Sequence, residues 1–334
     1  MTPFEENLLN DLKEINIILK TCTDNNLIES LNRDKKDILH YLGYTTPNCQ
    51  KRNSNDFINN DVTDFIITNQ MSFISLRSIS SFKTFYFNKN KNDIDNLKLF
   101  NSFLNDIDID LKYVYEQIKG YDGIFYSNLK KFYLGYTIYF ESLRKNYIEI
   151  HYENQIKDYQ VLTHELGHAK QNLMKPNSKN IYPSVFCEAY PTSIELIFSE
   201  YIKKYGLYKE SFNFKYSMLV NVINISNILY NDLNIYLNEN NSMNRTNFNY
   251  RYKLLMSHLL AFHFYNVYLI NPTECLELLN NFNNNFCATN DCELLESINL
   301  NFEDLKHLKI LSEFLNNLKE EKLKIKSKIK LPAI

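Results

Sequence analysis

"NYIEIHYENQIKDYQVLTHELGHAK" (residues 146–170) changes its period part-way along. At first Ile148, Ile150 and Tyr152 alternate with Tyr147, Glu149 and His151, which predicts a β-strand over 146–154. From Asp158 the spacing lengthens. Val161, Leu162, Leu166 and Leu173 recur as on one face of a helix, with Asp158 expected as its N-cap. A strand that runs into an amphipathic helix is the unit from which the fold is read.

That helix carries His164, Glu165 and His168. Positions i and i+4 stack on one helical face, so both imidazoles can offer a nitrogen to the same ion. Zinc favours imidazole, and a catalytic zinc takes three protein ligands while keeping a position open for water. Glu165 lies further around the helix, where its carboxylate can take a proton from that water during attack on a carbonyl. Gly167 and Ala169 lack bulk and let another segment come close. No His-x-x-Gly-x-x-His follows His168, which excludes the metzincin pattern.

A third ligand is expected downstream. In "VFCEAYPTSIELIFSEY" (185–201) Glu188 stands among Val185, Phe186 and Cys187, a setting where a carboxylate needs a partner. Glu195 follows two turns later if the helix is continuous, either orienting a liganding imidazole or facing solvent. Pro191 between them would kink a helix or open a new one at its first position. Glu195 and Glu200 otherwise read as ordinary helical residues.

Further out, the 334 residues include only six glycines, so turn signals are few and long helices are favoured over a many-stranded sheet. Apolar spacing predicts helices near 3–21, 25–42, 56–70, 97–119, 193–205, 215–237, 250–269 and 302–319, with loops at 45–55 and 88–96. The chain is read as an N-terminal helical region, 1–120, and a catalytic region, 121–334, in one continuous globular unit. The Lys-rich end, "KEEKLKIKSKIKLPAI", reads as a solvated helix end or a tail.

A net charge of −2 gives no reason to expect nucleic-acid binding. No signal peptide or membrane span is read, and the six cysteines are too scattered for a second zinc site. Buried or free thiols in the cytoplasm are the expectation.

Three blocks resemble the thimet oligopeptidase and oligoendopeptidase F family of zinc peptidases. Residues 146–170 resemble that family's edge strand, connector and His-Glu-x-Gly-His helix. "FCEAYPTSIE" (186–195) resembles its third-ligand helix, with a second glutamate seven residues after the first. "FNYRYKLLMSHLLAF" (248–262) resembles its Tyr-rich late segment more weakly. Two departures stand out. The interval from His168 to Glu188 is shorter than in the family, and the family's loop histidine is missing from "NENNSMNRTNFN".

The resemblance implies a mainly α, zincin-like fold with a small β-sheet beside the HExxH helix and a deep substrate cleft. His164, His168 and Glu188 would bind one Zn2+, with Glu195 supporting an imidazole. Glu165 would be general base and acid, and Tyr250 or Tyr252 would donate to the oxyanion. The strand around Glu149 and His151 would pair with an extended peptide. The activity implied is hydrolysis of short unfolded peptides by a zinc-bound water. The alternatives are a helical zinc protein that binds peptides without cleaving them and another gluzincin such as an aminopeptidase. Glu165, which zinc binding alone does not need, favours hydrolysis.

Overall fold

The computed structural model describes residues 3–42, 66, 95–127, 134–174, 184–238, 245–286, 289–306 and 309–330. The chain divides into two compact units, Met1–Asn53 with Ile109–Leu173 and Ser54–Asp108 with Met174–Ile334. The boundary read at 120/121 therefore falls inside the first unit.

The first unit is built on a three-stranded sheet. Helices α1 (Pro3–Thr21) and α2 (Asn25–Tyr41) come first. Pro3 opens α1, where its missing N–H costs nothing. Asp24 caps α2 by accepting from the backbone N–H of Asn26 at 2.8 Å. Leu8, Ile15, Leu31 and Ile38 pack with Ile138, Phe140 and Tyr147 of the sheet into a buried cluster.

The strands are β1 (Ile124–Ser127), β2 (Gly135–Phe140) and β3 (Lys145–His151), in the order β1-β3-β2. β3 pairs parallel with β1 and antiparallel with β2, with Thr137 opposite Ile148. The strand predicted at 146–154 is thus β3, and it stops three residues early. Tyr152 donates its N–H to Ser127 O, and Asn154 turns the chain at φ 59°.

β3 is the central strand, which overturns one expectation. Both of its edges are taken by β1 and β2, so the stretch around Glu149 and His151 has no free edge for β-augmentation. Side-chain alternation also works against it. Glu149 shares a face with Tyr147, on the side packed by α1 and α2, and accepts from Tyr136 Oη at 2.6 Å.

The other face of the sheet receives the histidine helix, numbered after the short α4 (Ile109–Gly120) as α5 (Ile156–Met174). Asn146 of β3 donates its amide to the carbonyl of Ala169 at 3.3 Å. Asp158 is not the N-cap but the third residue of α5. Its carboxylate reaches back to the N–H groups of Gln155 at 2.9 Å and Glu153 at 2.8 Å, the acidic half of a capping box.

The second unit has helices joined by turns and no strand among its described residues. It contains α3 (Asn96–Ile107), α6 (Ala189–Tyr201), a 3₁₀ turn (Ile202–Tyr205), α7 (Tyr208–Asn238) and α8 (Arg245–Ile270). There follow α9 (Pro272–Asn285), α10 (Asp291–Glu296), α11 (Phe302–Lys306) and α12 (Lys309–Lys330). α6 packs on α8, and both α7 and α12 pack on α8 as well.

The helix expected over 97–119 is two, because Asp108 takes an extended conformation (φ −148°, ψ 104°) between α3 and α4. The one expected at 193–205 begins at Ala189, and α9 and α10 had no expectation. The Lys-rich end is largely the last turns of α12, with Ile325 buried and Leu323 exposed. Of the helix expected at 56–70 only Ile66 is described, and the loop at 45–55 lies outside the described residues. No helix among the described residues is long and apolar enough to cross a membrane.

Candidate active site

α5 brings the two histidines together as the i, i+4 spacing requires. The rings of His164 and His168 have centroids 5.0 Å apart at 76°, and both are half-buried. The intervening Glu165 is 6% exposed. Its carboxylate is held by β2: Thr137 Oγ1 lies 2.8 Å from Glu165 Oε2 and 3.0 Å from the Glu165 carbonyl oxygen.

Two residues earlier on the same strand face, Gly135 leaves the space this approach needs. A Cβ there would lie 2.6 Å from Val161 Cγ1 and 3.1 Å from Glu165 Oε1. Sequence reading found neither Gly135 nor Thr137. The residues of "GYTIYF" are all aromatic, β-branched or glycine, with no polar alternation to show which face meets a helix.

Glu149 and His151 belong to the same unit but not to this face. Glu149 holds the Tyr136 hydroxyl, and His151 Nε2 lies 3.4 Å from Glu153 Oε1.

In the second unit Glu188 is the N-cap of α6, and its side chain makes no capping hydrogen bond to that helix. The turn that ends on it, from Ser184, is pinned from two directions. Ser257 Oγ on α8 accepts from the Glu188 N–H at 3.2 Å and donates to Val185 O at 3.0 Å. Asp291 at the start of α10 accepts from Ser184 Oγ at 2.5 Å and from the Val185 N–H at 3.1 Å. Neither anchor was legible, because each lies at least 69 residues away in sequence.

Pro191 neither kinks α6 nor begins it. It is the third helical residue, within the first turn, where a backbone N–H has no intrahelical acceptor. α6 therefore runs unbroken through Glu195, which is half-buried two turns beyond Glu188. Beside Glu188, burial and then the Glu188 charge push the Cys187 thiol up to about 12, so it stays protonated.

The two tyrosine candidates on α8 separate. Tyr252 is 6% exposed and packs in the core, whereas Tyr250 is 61% exposed. Partial desolvation, then the nearby Glu188 charge, raises the Tyr250 phenol above its ordinary value, which keeps it a donor.

Glu200 departs from its ordinary reading. Lys215, fully buried, sits 2.9 Å from Glu200 Oε2, 2.6 Å from Glu321 Oε2 and 3.1 Å from Tyr265 Oη.

No family model matches the sequence. No curated protein matches it either. Solved structures do match in fold. A Bacillus anthracis str. Ames protein provisionally designated oligoendopeptidase F is 17% identical with a TM-score of 0.62, over 89% of this chain and 63% of that one. PZ peptidase A, solved with an inhibitor, is 16% identical with a TM-score of 0.59, over 88% of this chain and 65% of that one. A Chlamydophila abortus protein provisionally designated a peptidase is 15% identical with a TM-score of 0.57, over 96% of this chain and 63% of that one. The chain spans less than two thirds of the length of each. The fold of this chain, mainly helical with a small sheet beside the HELGH helix, is that of oligoendopeptidase structures.

Proposed function

We propose that this protein is a zinc-dependent peptidase acting on short, unfolded peptides. The observation that carries the reading is α5 itself: two half-buried imidazoles 5.0 Å apart, with a buried glutamate between them whose carboxylate is held by Thr137. His164 and His168 would hold one metal ion, with Glu188 as the third ligand that the resemblance of 186–195 to the family's third-ligand helix implies. Two imidazoles and one carboxylate suit zinc better than magnesium or calcium, which take oxygen ligands. When bound, the metal would polarise the scissile carbonyl and acidify a water.

The chain's own residues would do the rest. Glu165 would take the proton of the attacking water and return it to the departing amine. Tyr250, exposed and protonated, would donate to the developing oxyanion, a role for which Tyr252 is too deeply packed. Glu195 would hold a liganding imidazole in orientation. The fold shared with oligoendopeptidase structures supports peptides as the substrate class, and Cys22, Cys187, Cys275 and Cys292 as free thiols fit a reducing cytoplasm.

The test is cleavage of a quenched peptide library by the zinc-loaded wild type beside Glu165→Gln. The variant is expected to keep zinc, fold and peptide affinity while turnover falls by about 10²–10⁴-fold. A zinc-loaded wild type that cleaves nothing across a diverse library would leave a peptide-binding protein as the reading.

A further inference from the structure

We infer that Thr137 is a positioning residue for the Glu165 carboxylate, and that the bare backbone at Gly135 is the second half of the same device. The inference rests on the reading of Glu165 as the general base. A glutamate on a helix surface has three rotatable side-chain bonds, so its carboxylate sweeps a wide arc unless something fixes it. A base that must meet a water within hydrogen-bond reach cannot be left to sweep.

The Thr137 hydroxyl meets Glu165 twice, at Oε2 (2.8 Å) and at the carbonyl oxygen of the same residue (3.0 Å). Its single proton is shared between the two acceptors, so one side chain of β2 holds the carboxylate beside its own backbone. The tie comes from the sheet edge, so it also sets the distance between β2 and α5. Gly135 keeps that distance short. A methyl group there would press on Val161 Cγ1, on Glu165 Cγ at 3.0 Å and on Oε1 at 3.1 Å. Thr137 grips one oxygen while Gly135 leaves the space against the other clear. Thr137 is itself β-branched and pairs with Ile148 across the ladder, so its side chain is rotationally stiff where the hydroxyl is needed.

A plain strand-to-helix fastener would show the same hydrogen bonds, and the experiment has to separate the two. Thr137→Val keeps shape and branching and removes only the hydroxyl; Thr137→Ser keeps the hydroxyl and removes the methyl. On the proposal, the Val variant loses about 10–100-fold in kcat with KM and zinc content close to wild type, and the Ser variant recovers most of the loss. Thr137→Ala serves as the hydroxyl-free variant if Val does not fold. A Val variant that turns over like wild type, or a Ser variant as slow as Val, would overturn the proposal.

A second arm needs no activity. Crystal structures of the wild type and the hydroxyl-free variant should show the Glu165 carboxylate in one rotamer in the first and displaced or multiple in the second. An unmoved carboxylate overturns the positioning role. Failure of all proteins to cleave peptides would instead count against the peptidase reading, and the crystallographic arm would still judge Thr137.

Discussion

α5 and the helices around Lys215 both hold charged groups away from water, and they do so in opposite ways. The Lys215 ammonium has three protons and three acceptors, from Glu200, Glu321 and Tyr265, and no exposure. Tyr265 in turn donates to Glu200 at 2.6 Å. Burial works against the Glu200 charge, yet Lys215 and Lys203 outweigh it and bring the carboxyl down to about 2. On α5 the imidazoles stay half-exposed and Glu165 is gripped through one oxygen. A saturated ammonium has nothing left to offer a reaction, whereas a carboxylate held from one side still has. By that criterion the Lys215 cluster is architecture and the α5 cluster is the one proposed for chemistry, even though the Lys215 cluster contains more charge.

The largest effect that would break this contrast lies at the metal. Glu188→Gln is expected to lose zinc almost entirely by elemental analysis, with helix content retained. Metal content equal to wild type would remove Glu188 from the site.

Next comes Lys215→Met, which removes the buried cation between Glu200 and Glu321 and leaves them only the more exposed Lys203. We expect a loss of about 3–5 kcal/mol in urea unfolding, with the zinc content of folded protein unchanged. The pH dependence has a definite sign. Glu200 is depressed in the folded state, so its contribution is full above its ordinary value of 4.5 and is lost as pH falls from there towards about 2. The wild type should lose stability through that window more steeply than Lys215→Met. Parallel acid limbs would show that the ammonium is not what holds Glu200 down.

Much of the α5 side of this contrast was legible in sequence, and almost none of the Lys215 side. His164, Glu165 and His168 are fixed by the period of one helix, and the strand before them by alternation. Lys215 meets Glu321 across 106 residues, and Ser184 meets Asp291 across 107, distances that no local period spans. β2 was missed because its partner is chosen by the sheet, and with it went Thr137, which meets Glu165 across 28 residues. The same gap explains the misplaced substrate strand. Alternation marks β3 as a strand but cannot tell a central strand from an edge.

Smaller effects sharpen the comparison. Glu195→Gln should weaken zinc by about 10–100-fold without lowering the Tm of the metal-free protein. An unchanged zinc Kd would return Glu195 to a packing role. Asp158→Ala, which frees the N–H groups of Glu153 and Gln155, should cost about 1 kcal/mol and leave the zinc Kd alone.

The ion cluster around Lys215 also imposes an order on biosynthesis. Lys215 emerges from a ribosome 106 residues before Glu321, which at ordinary elongation rates is a delay of roughly 5–20 s. During that interval α6, α7 and α8 can collect, but sealing Lys215 among them with Glu200 as its only carboxylate partner is unfavourable. α12 closes the network, so the nascent helices should stay loosely joined, and open to chaperones, until the last helix arrives.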